Sequence, residues 1–193
     1  MSFEDLKPNG LYLILLADKL NESHQPESFH WRIYLHKSVM EGEIEHCVDS
    51  HMQNTPTGVH YSRSRDIFFS CGVIGLLQIA DIPKDEEIES AMHREIQQLS
   101  SHIMSSEERV MMSSEKWMFD GNHGVLQLFR KLRVVGRGEG GEKDLKDYPL
   151  LECDDLDELK REAQDWGYKN VLIAFESDKP RALKVSKVCG RLD

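Results

Sequence analysis

The chain has 193 residues, of which 39% are hydrophobic and 30% charged, with 34 acidic and 24 basic side chains and a formal net charge of −10. A chain of this length can fold around a hydrophobic core without disulfides or metals, and a net acidic protein is a poor partner for nucleic-acid phosphates. Its apolar runs are too short to span a bilayer, so we expect neither nucleic acid nor a membrane as a partner.

The four cysteines are widely separated, at positions 47, 71, 153 and 189. Zinc sites use cysteines in closely spaced pairs, and this sequence has none. Residues 1–5 do not resemble the start of a signal peptide, which predicts a cytoplasmic location where thiols stay reduced. We therefore expect four free thiols and no metal.

The first part of the chain is predicted to form strands. The apolar run 11–16 follows the turn signal Asn9-Gly10 and predicts a buried strand. Residues 30–36 alternate between apolar and polar side chains, which predicts a strand with one buried and one polar face. Glu41-Gly42 is predicted as a turn, with a returning strand over 44–48. Further strands are predicted at residues 59–61, 67–69 and 73–79.

Helical spacing of apolar residues begins after Pro83. It predicts one helix from Asp85 to about residue 103 and a second over 125–132. A third helix is capped by Asp154 or Asp155 and ends at Gly167, because aspartate favours helix starts and glycine favours helix ends. Its predicted inner face consists of Leu156, Leu159, Ala163 and Trp166. Final strands are predicted at residues 171–175 and 182–188.

The order of these elements predicts an α+β fold, with a mainly antiparallel sheet packed against two or three helices. Residues 1–135 form the predicted α+β core domain, and 136–149 a connector rich in glycine and charge. Residues 150–193 add a helix and strands that complete the same domain.

The connector contains a Gly-x-Gly-x-x-Gly pattern at residues 136–141, the spacing of a dinucleotide-binding loop. Such a loop must open a helix whose N-terminus holds the pyrophosphate. Here a polar segment follows and is broken by Pro149. We therefore interpret the pattern as part of the connector and expect no cofactor.

The most site-like segment is the predicted strand that begins at His30. An imidazole there can act as a general acid or base near neutral pH, and Arg32 or Tyr34 on the same face can stabilise a developing negative charge. His46 and Asp49, on and after the returning strand, are candidate assistants. His36 completes the polar face. The alternative interpretation is a polar strand face that is simply solvated.

Two family resemblances rest on the order of these elements over residues 10–135. The run 11–15, the segment Phe29-His30-Trp31-Arg32-Ile33-Tyr34, the return at His46 and the stretch 73–83 before a helix resemble small fungal proteins of unknown function with a His-Trp-aliphatic strand. The order also resembles permuted papain-like folds, in which a strand histidine precedes a helix that begins with the nucleophilic cysteine. Residues 113–116, before Trp117, contain no cysteine. The resemblance therefore implies a histidine-bearing cleft without cysteine-protease chemistry.

Two functions from different classes remain open. The first is a cofactor-free enzyme of small-molecule metabolism, including secondary metabolism, such as a lyase, isomerase or cyclase with His30 as acid/base and a small-molecule ligand. The second is a non-catalytic binding or protein-interaction module, a pseudoenzyme on a papain-like α+β scaffold.

Overall fold

A computed structural model describes the following residues: 5–17, 20, 29–38, 41–47, 59–63, 72–82, 118–119, 124–131, 133–134, 148–149, 151–175 and 181–189. The strands are β1 Gly10–Leu16, β2 His30–Ser38, β3 Glu41–Cys47, β4 Val59–Arg63, β5 Val73–Asp81, β6 Arg133–Val134, β7 Tyr148–Pro149 and β8 Ala182–Val185. The described α-helices are α1 Val125–Lys131 and α2 Leu156–Asn170, and the 3₁₀ helix Val171–Phe175 follows α2 directly.

The strands form one six-stranded sheet in the order β4-β3-β2-β1-β5-β8, and β6 and β7 pair separately. Neighbouring strands of the large sheet are antiparallel except for β5 and β8, which are parallel. The described part of the chain therefore has an α+β fold, as the sequence predicts. The helix predicted over 85–103 and the strand predicted over 67–69 lie outside the described residues.

Strand β1 is buried at every position because it lies in the sheet between β2 and β5 and is covered on both faces. We call the face of Leu11, Leu13 and Leu15 the front face and the face of Tyr12 and Ile14 the back face. The front face packs against the described helices, with Val125, Leu126, Phe129, Leu156, Leu159 and Ala163 in the same core. A second cluster on the back face contains Leu6, Tyr12, Ile14, Leu16, Tyr34, Val73 and Leu76.

Helix α2 begins at the N-cap Asp155, whose side chain accepts hydrogen bonds from the backbone N–H groups of Asp157 at 2.8 Å and Glu158 at 3.1 Å. The prediction that it ends at Gly167 is wrong, since it continues to Asn170. Gly167 is buried, and a Cβ there would lie 2.8 Å from Cδ2 of Leu15 and 3.0 Å from the ring of Phe29. This glycine allows close helix–sheet packing and does not end the helix.

Glu162 joins the middle of α2 to β8 and the turn after it. Its carboxylate accepts hydrogen bonds from Ser186 Oγ at 2.7 Å and from the backbone N–H of Lys187 at 3.1 Å, and lies 2.6 Å from Lys184 Nζ. Partial burial alone would raise the pKa of Glu162, but these hydrogen bonds and the Lys184 charge outweigh it and leave the pKa lowered. The contacts hold β8 at the sheet edge against the helix.

Other local predictions differ from the structure. The apolar run 171–175, predicted as a strand, is the 3₁₀ helix, with Val171 and Ala174 buried three positions apart, the period of that helix. Glu41 and Gly42, predicted as a turn, lie within β3. Tyr148-Pro149, predicted to belong to the connector, pairs with Arg133–Val134. Strand β8 ends at Val185 rather than at residue 188.

Among the described residues, no helix combines the length and the apolar character that crossing a membrane requires.

Candidate functional site

The predicted site residues of β2 lie along the back face, but their burial changes along the strand. His30 and Arg32 are half-buried, whereas Tyr34 and His36 are completely buried. The strand is predicted to have one buried face and one exposed polar face, and this is wrong for its second half, where the polar face is buried as well. Along this face β2 offers two partly accessible ionisable side chains followed by two that are sealed in the core.

Tyr34 and His36 share a hydrogen bond of 3.0 Å between Tyr34 Oη and His36 Nδ1. Their ring centroids are 5.9 Å apart. Burial, with a smaller effect of Tyr12, raises the pKa of Tyr34, and burial lowers the pKa of His36. At neutral pH the bond therefore joins a neutral phenol to a neutral imidazole.

Tyr12 on β1 extends this buried group, with its ring centroid 6.3 Å from that of Tyr34. Its hydroxyl accepts a hydrogen bond of 2.8 Å from the backbone N–H of Lys7. Burial raises the pKa of Tyr12, the bond from Lys7 partly offsets this, and the charge of Asp81 raises it again. Two phenols and one imidazole therefore lie buried together on the back face.

An ion pair lies beside these tyrosines. Lys7 Nζ contacts the carboxylate of Asp81, which also accepts a hydrogen bond of 2.8 Å from Gln78 Nε2. A register shift between β1 and β5 after Leu11 pairs Gln78 with Tyr12. The irregularity therefore brings polar side chains of β5 next to the phenols of the back face.

The strand register places further candidate residues beside Arg32. The Cα of Arg32 is paired with that of His46 on β3, and the Cα of His46 with that of His60 on β4. His30 lies two positions before Arg32 and therefore on the same face of the sheet. Asp49 lies outside the described residues. The backbone therefore places Arg32, His46 and His60 side by side across three strands, with His30 two positions away from Arg32 along β2.

The sequence prediction did not include His60, Tyr12, Lys7, Gln78 or Asp81. Only one signal pointed to any of them: period-2 alternation places Tyr12 on one face of β1. The pairing of β1 with β5 and of β3 with β4 depends on long-range register, which periodicity does not contain. Within the described ranges, no group of three or more His, Cys, Asp or Glu side chains is arranged to hold a metal ion.

No protein-family model, curated protein or solved structure matches the chain. The resemblance to small fungal proteins and to permuted papain-like folds therefore stays a prediction.

Proposed function

We propose that the chain is a cofactor-free cytoplasmic enzyme of small-molecule metabolism that uses histidine acid/base chemistry on the back face of its sheet. The observation that carries the proposal is the half-buried pair His30 and Arg32 on one face of β2. Arg32 is in register with His46 on β3, which is in register with His60 on β4. An imidazole and a guanidinium at the boundary between core and solvent suit proton transfer and charge stabilisation.

In this proposal the residues of β2 have different roles. His30 exchanges a proton with the substrate, and Arg32 stabilises the negative charge that develops when a proton leaves carbon or oxygen. Tyr34 and His36 are completely buried and bonded to each other, so they act as positioning residues that hold the strand. His46 and Asp49 remain the proposed assistants, and the register pairs the Cα of His46 with that of Arg32.

The chemistry that this set supports is a lyase, isomerase or cyclase reaction. Each of these reactions needs one group that accepts a proton and one that returns it or balances charge. Each proceeds without an external electron acceptor. A proton-transferring group and a charge-balancing group are therefore the requirements, and in this proposal His30 and Arg32 supply them. General acid–base catalysis by one positioned side chain contributes about 10²–10⁴-fold to a rate.

The test is an untargeted conversion assay. Purified protein is incubated with a small-molecule metabolite extract, and consumed and formed compounds are quantified by mass spectrometry for the wild type, His30→Gln and Arg32→Gln. The control is Arg161→Gln, which makes the same change at an exposed position of α2. We expect a conversion by the wild type that falls at least about 100-fold in His30→Gln and persists in the control.

A conversion that a folded His30→Gln variant performs at the wild-type rate would overturn the role of His30. A wild-type protein that converts nothing while compounds of the same extract raise its melting temperature would overturn the enzyme proposal.

The second candidate is a non-catalytic binding module or pseudoenzyme. The observation that favours it is the complete burial of Tyr34 and His36, because a hydrogen-bonded pair inside a closed core is an ordinary structural feature. Under this candidate the polar face of β2 orders the sheet, and ligand binding occurs without turnover. The thermal-shift arm of the same experiment distinguishes the two candidates.

A further inference from the structure

Two cysteines that are 36 positions apart in the sequence face each other in the structure. Cys153, just before α2, and Cys189, after β8, form an isolated antiparallel bridge, and both thiols are reduced and buried. Opposed residues of antiparallel strands have Cα atoms about 4.5–5.5 Å apart, which falls within the range of about 4.4–6.8 Å that a disulfide spans.

Both cysteines are held in place by defined neighbours. Cys153 Sγ donates a hydrogen bond of 3.4 Å to the backbone carbonyl of Asp155, the N-cap of α2. The backbone N–H of Cys189 donates to Ser186 Oγ at 3.2 Å, and Ser186 in turn donates to Glu162 at 2.7 Å. The pairing of the thiols therefore depends on the helix start and on the Glu162 contact.

The surroundings make the two thiols unequal. The neighbouring Cys189 side chain lowers the pKa of Cys153 despite burial, and the guanidinium of Arg130 adds to this effect. Arg130 is held beside Cys153 because its Nη2 donates 3.1 Å to the carbonyl of Asp154. The neighbouring Cys153 side chain, together with burial, raises the pKa of Cys189. Cys153 is therefore the better nucleophile of the pair.

We propose that Cys153 and Cys189 are a reversible redox pair, in which Cys153 is oxidised by a peroxide and Cys189 resolves the product to a disulfide. The proposal is independent of the proposed function, because this pair belongs to the front-face core and the site lies on the back face. The two cysteines are 5% and 6% exposed, so the oxidant has to be small, such as hydrogen peroxide.

The reaction proceeds in two balanced steps. The Cys153 thiolate attacks one oxygen of hydrogen peroxide, an S–O bond forms as the O–O bond breaks, and the departing hydroxide takes a proton to become water. The Cys189 thiol then loses its proton, and its sulfur displaces hydroxide from the Cys153 sulfenic acid to form the S–S bond and a second water. Both sulfurs are oxidised and both peroxide oxygens are reduced. A dithiol reductant reverses the result by exchange.

The disulfide would link the start of α2 to the end of the described chain and enclose α2, the 3₁₀ helix and β8. A disulfide that closes this loop lowers the conformational entropy of the unfolded chain and so stabilises the folded state. For a chain of this size we expect the melting temperature to rise by about 10 °C on oxidation.

The test treats the folded full-length protein with hydrogen peroxide, blocks the remaining thiols with an alkylating reagent, and identifies linked peptides by mass spectrometry. We expect a Cys153–Cys189 peptide that disappears with dithiothreitol. In Cys189→Ser, a 1,3-diketone probe for sulfenic acid should label Cys153. In Cys153→Ser, Cys189 should remain a thiol. Cys71→Ser is the control and should still form the disulfide. Oxidised glutathione in place of peroxide should react much more slowly.

Several results would overturn the proposal. They are alkylation of both cysteines after peroxide treatment of the wild type, linkage of either one to a different cysteine, or sulfenic acid on Cys189 in Cys153→Ser. The wild-type measurement needs no substitution, so the proposal is decided even if a serine variant fails to fold. For the variants, alanine replaces serine if the hydroxyl is not tolerated in the core.

Discussion

Replacing Glu162 with glutamine tests whether one carboxylate holds β8 and the following turn against α2. The glutamine side chain has nearly the same shape, so packing is preserved and the charge is removed. The wild-type carboxylate receives hydrogen bonds from Ser186 and Lys187 and forms an ion pair with Lys184. The side chains of Glu162 and Lys184 are 10% and 24% exposed, so solvent screens the pair only in part.

The magnitude follows from these contacts. Loss of a partly screened ion pair costs about 0.5–1 kcal/mol. Weakening two charge-assisted hydrogen bonds to neutral ones costs about 1–2 kcal/mol together. We expect Glu162→Gln to lower the free energy of unfolding by about 2 kcal/mol, which for a chain of this size lowers the melting temperature by about 4–8 °C.

The assay is urea and thermal unfolding followed by circular dichroism. Glu158→Gln is the control, because Glu158 is an exposed acid in the first turn of the same helix. Its charge interacts mainly with the helix dipole, so we expect a loss of only about 0.5 kcal/mol. Equal losses in the two variants would refute the reasoning, since they would show that the contacts to Ser186, Lys187 and Lys184 add nothing to a general charge effect.

The difference in stability between the wild type and Glu162→Gln should depend on pH. The pKa of Glu162 in the folded protein is below its ordinary value of 4.5. The carboxylate therefore contributes stability above pH 4.5 that is lost as the pH falls through the lowered value. We expect the difference between the wild type and Glu162→Gln to be constant from pH 5 to 7 and to shrink below pH 4.5. A difference that stays constant down to pH 3 would contradict this assignment.

Two further predictions concern the sheet. In Gly75→Ala the added Cβ would meet the carbonyl oxygen of Ala182 and lie 2.6 Å from Trp166 Cη2, so we expect the free energy of unfolding in urea to fall by about 1–3 kcal/mol. Adding Trp166→Phe should recover only part of this loss, because the carbonyl remains. Full recovery would show that the indole ring was the whole obstacle. Burial lowers the pKa of His36 below its ordinary value of 6.5, so protonation of the unfolded chain should reduce the free energy of unfolding as the pH falls from 7 towards 5. In His36→Gln the free energy of unfolding should fall less steeply with pH over this range. Equal slopes in the two proteins would contradict the lowered pKa of His36.

Local sequence patterns predicted much of the fold. Strands β1, β2 and β5 and helix α2 are found close to their predicted bounds. Long, largely apolar runs mark β1 and β5, alternation repeats through β2, and helical spacing repeats through α2. Predictions failed where a short segment lacked such a repeat. The five apolar residues 171–175 fit a strand or a buried helical turn equally well, and packing against the sheet selected the 3₁₀ helix.

The candidate site was also predictable only in part from the sequence. Alternation in β2 placed His30, Arg32, Tyr34 and His36 on one face, and the register confirms that placement. Their burial could not be predicted from alternation, because it depends on what covers the back face. The neighbours Tyr12, His46 and His60 depend on strand pairing, which is a long-range property.

The sequence by itself determined that this chain forms an α+β fold with a polar stripe on β2, since hydrophobic periodicity acts over neighbouring residues. Tertiary structure alone decided which parts of that stripe are sealed and which are partly open. It also decided that Cys153 and Cys189 meet, although 35 residues separate them. The physical reason is that sheet register and loop closure join distant segments, and no local pattern specifies which segments will meet.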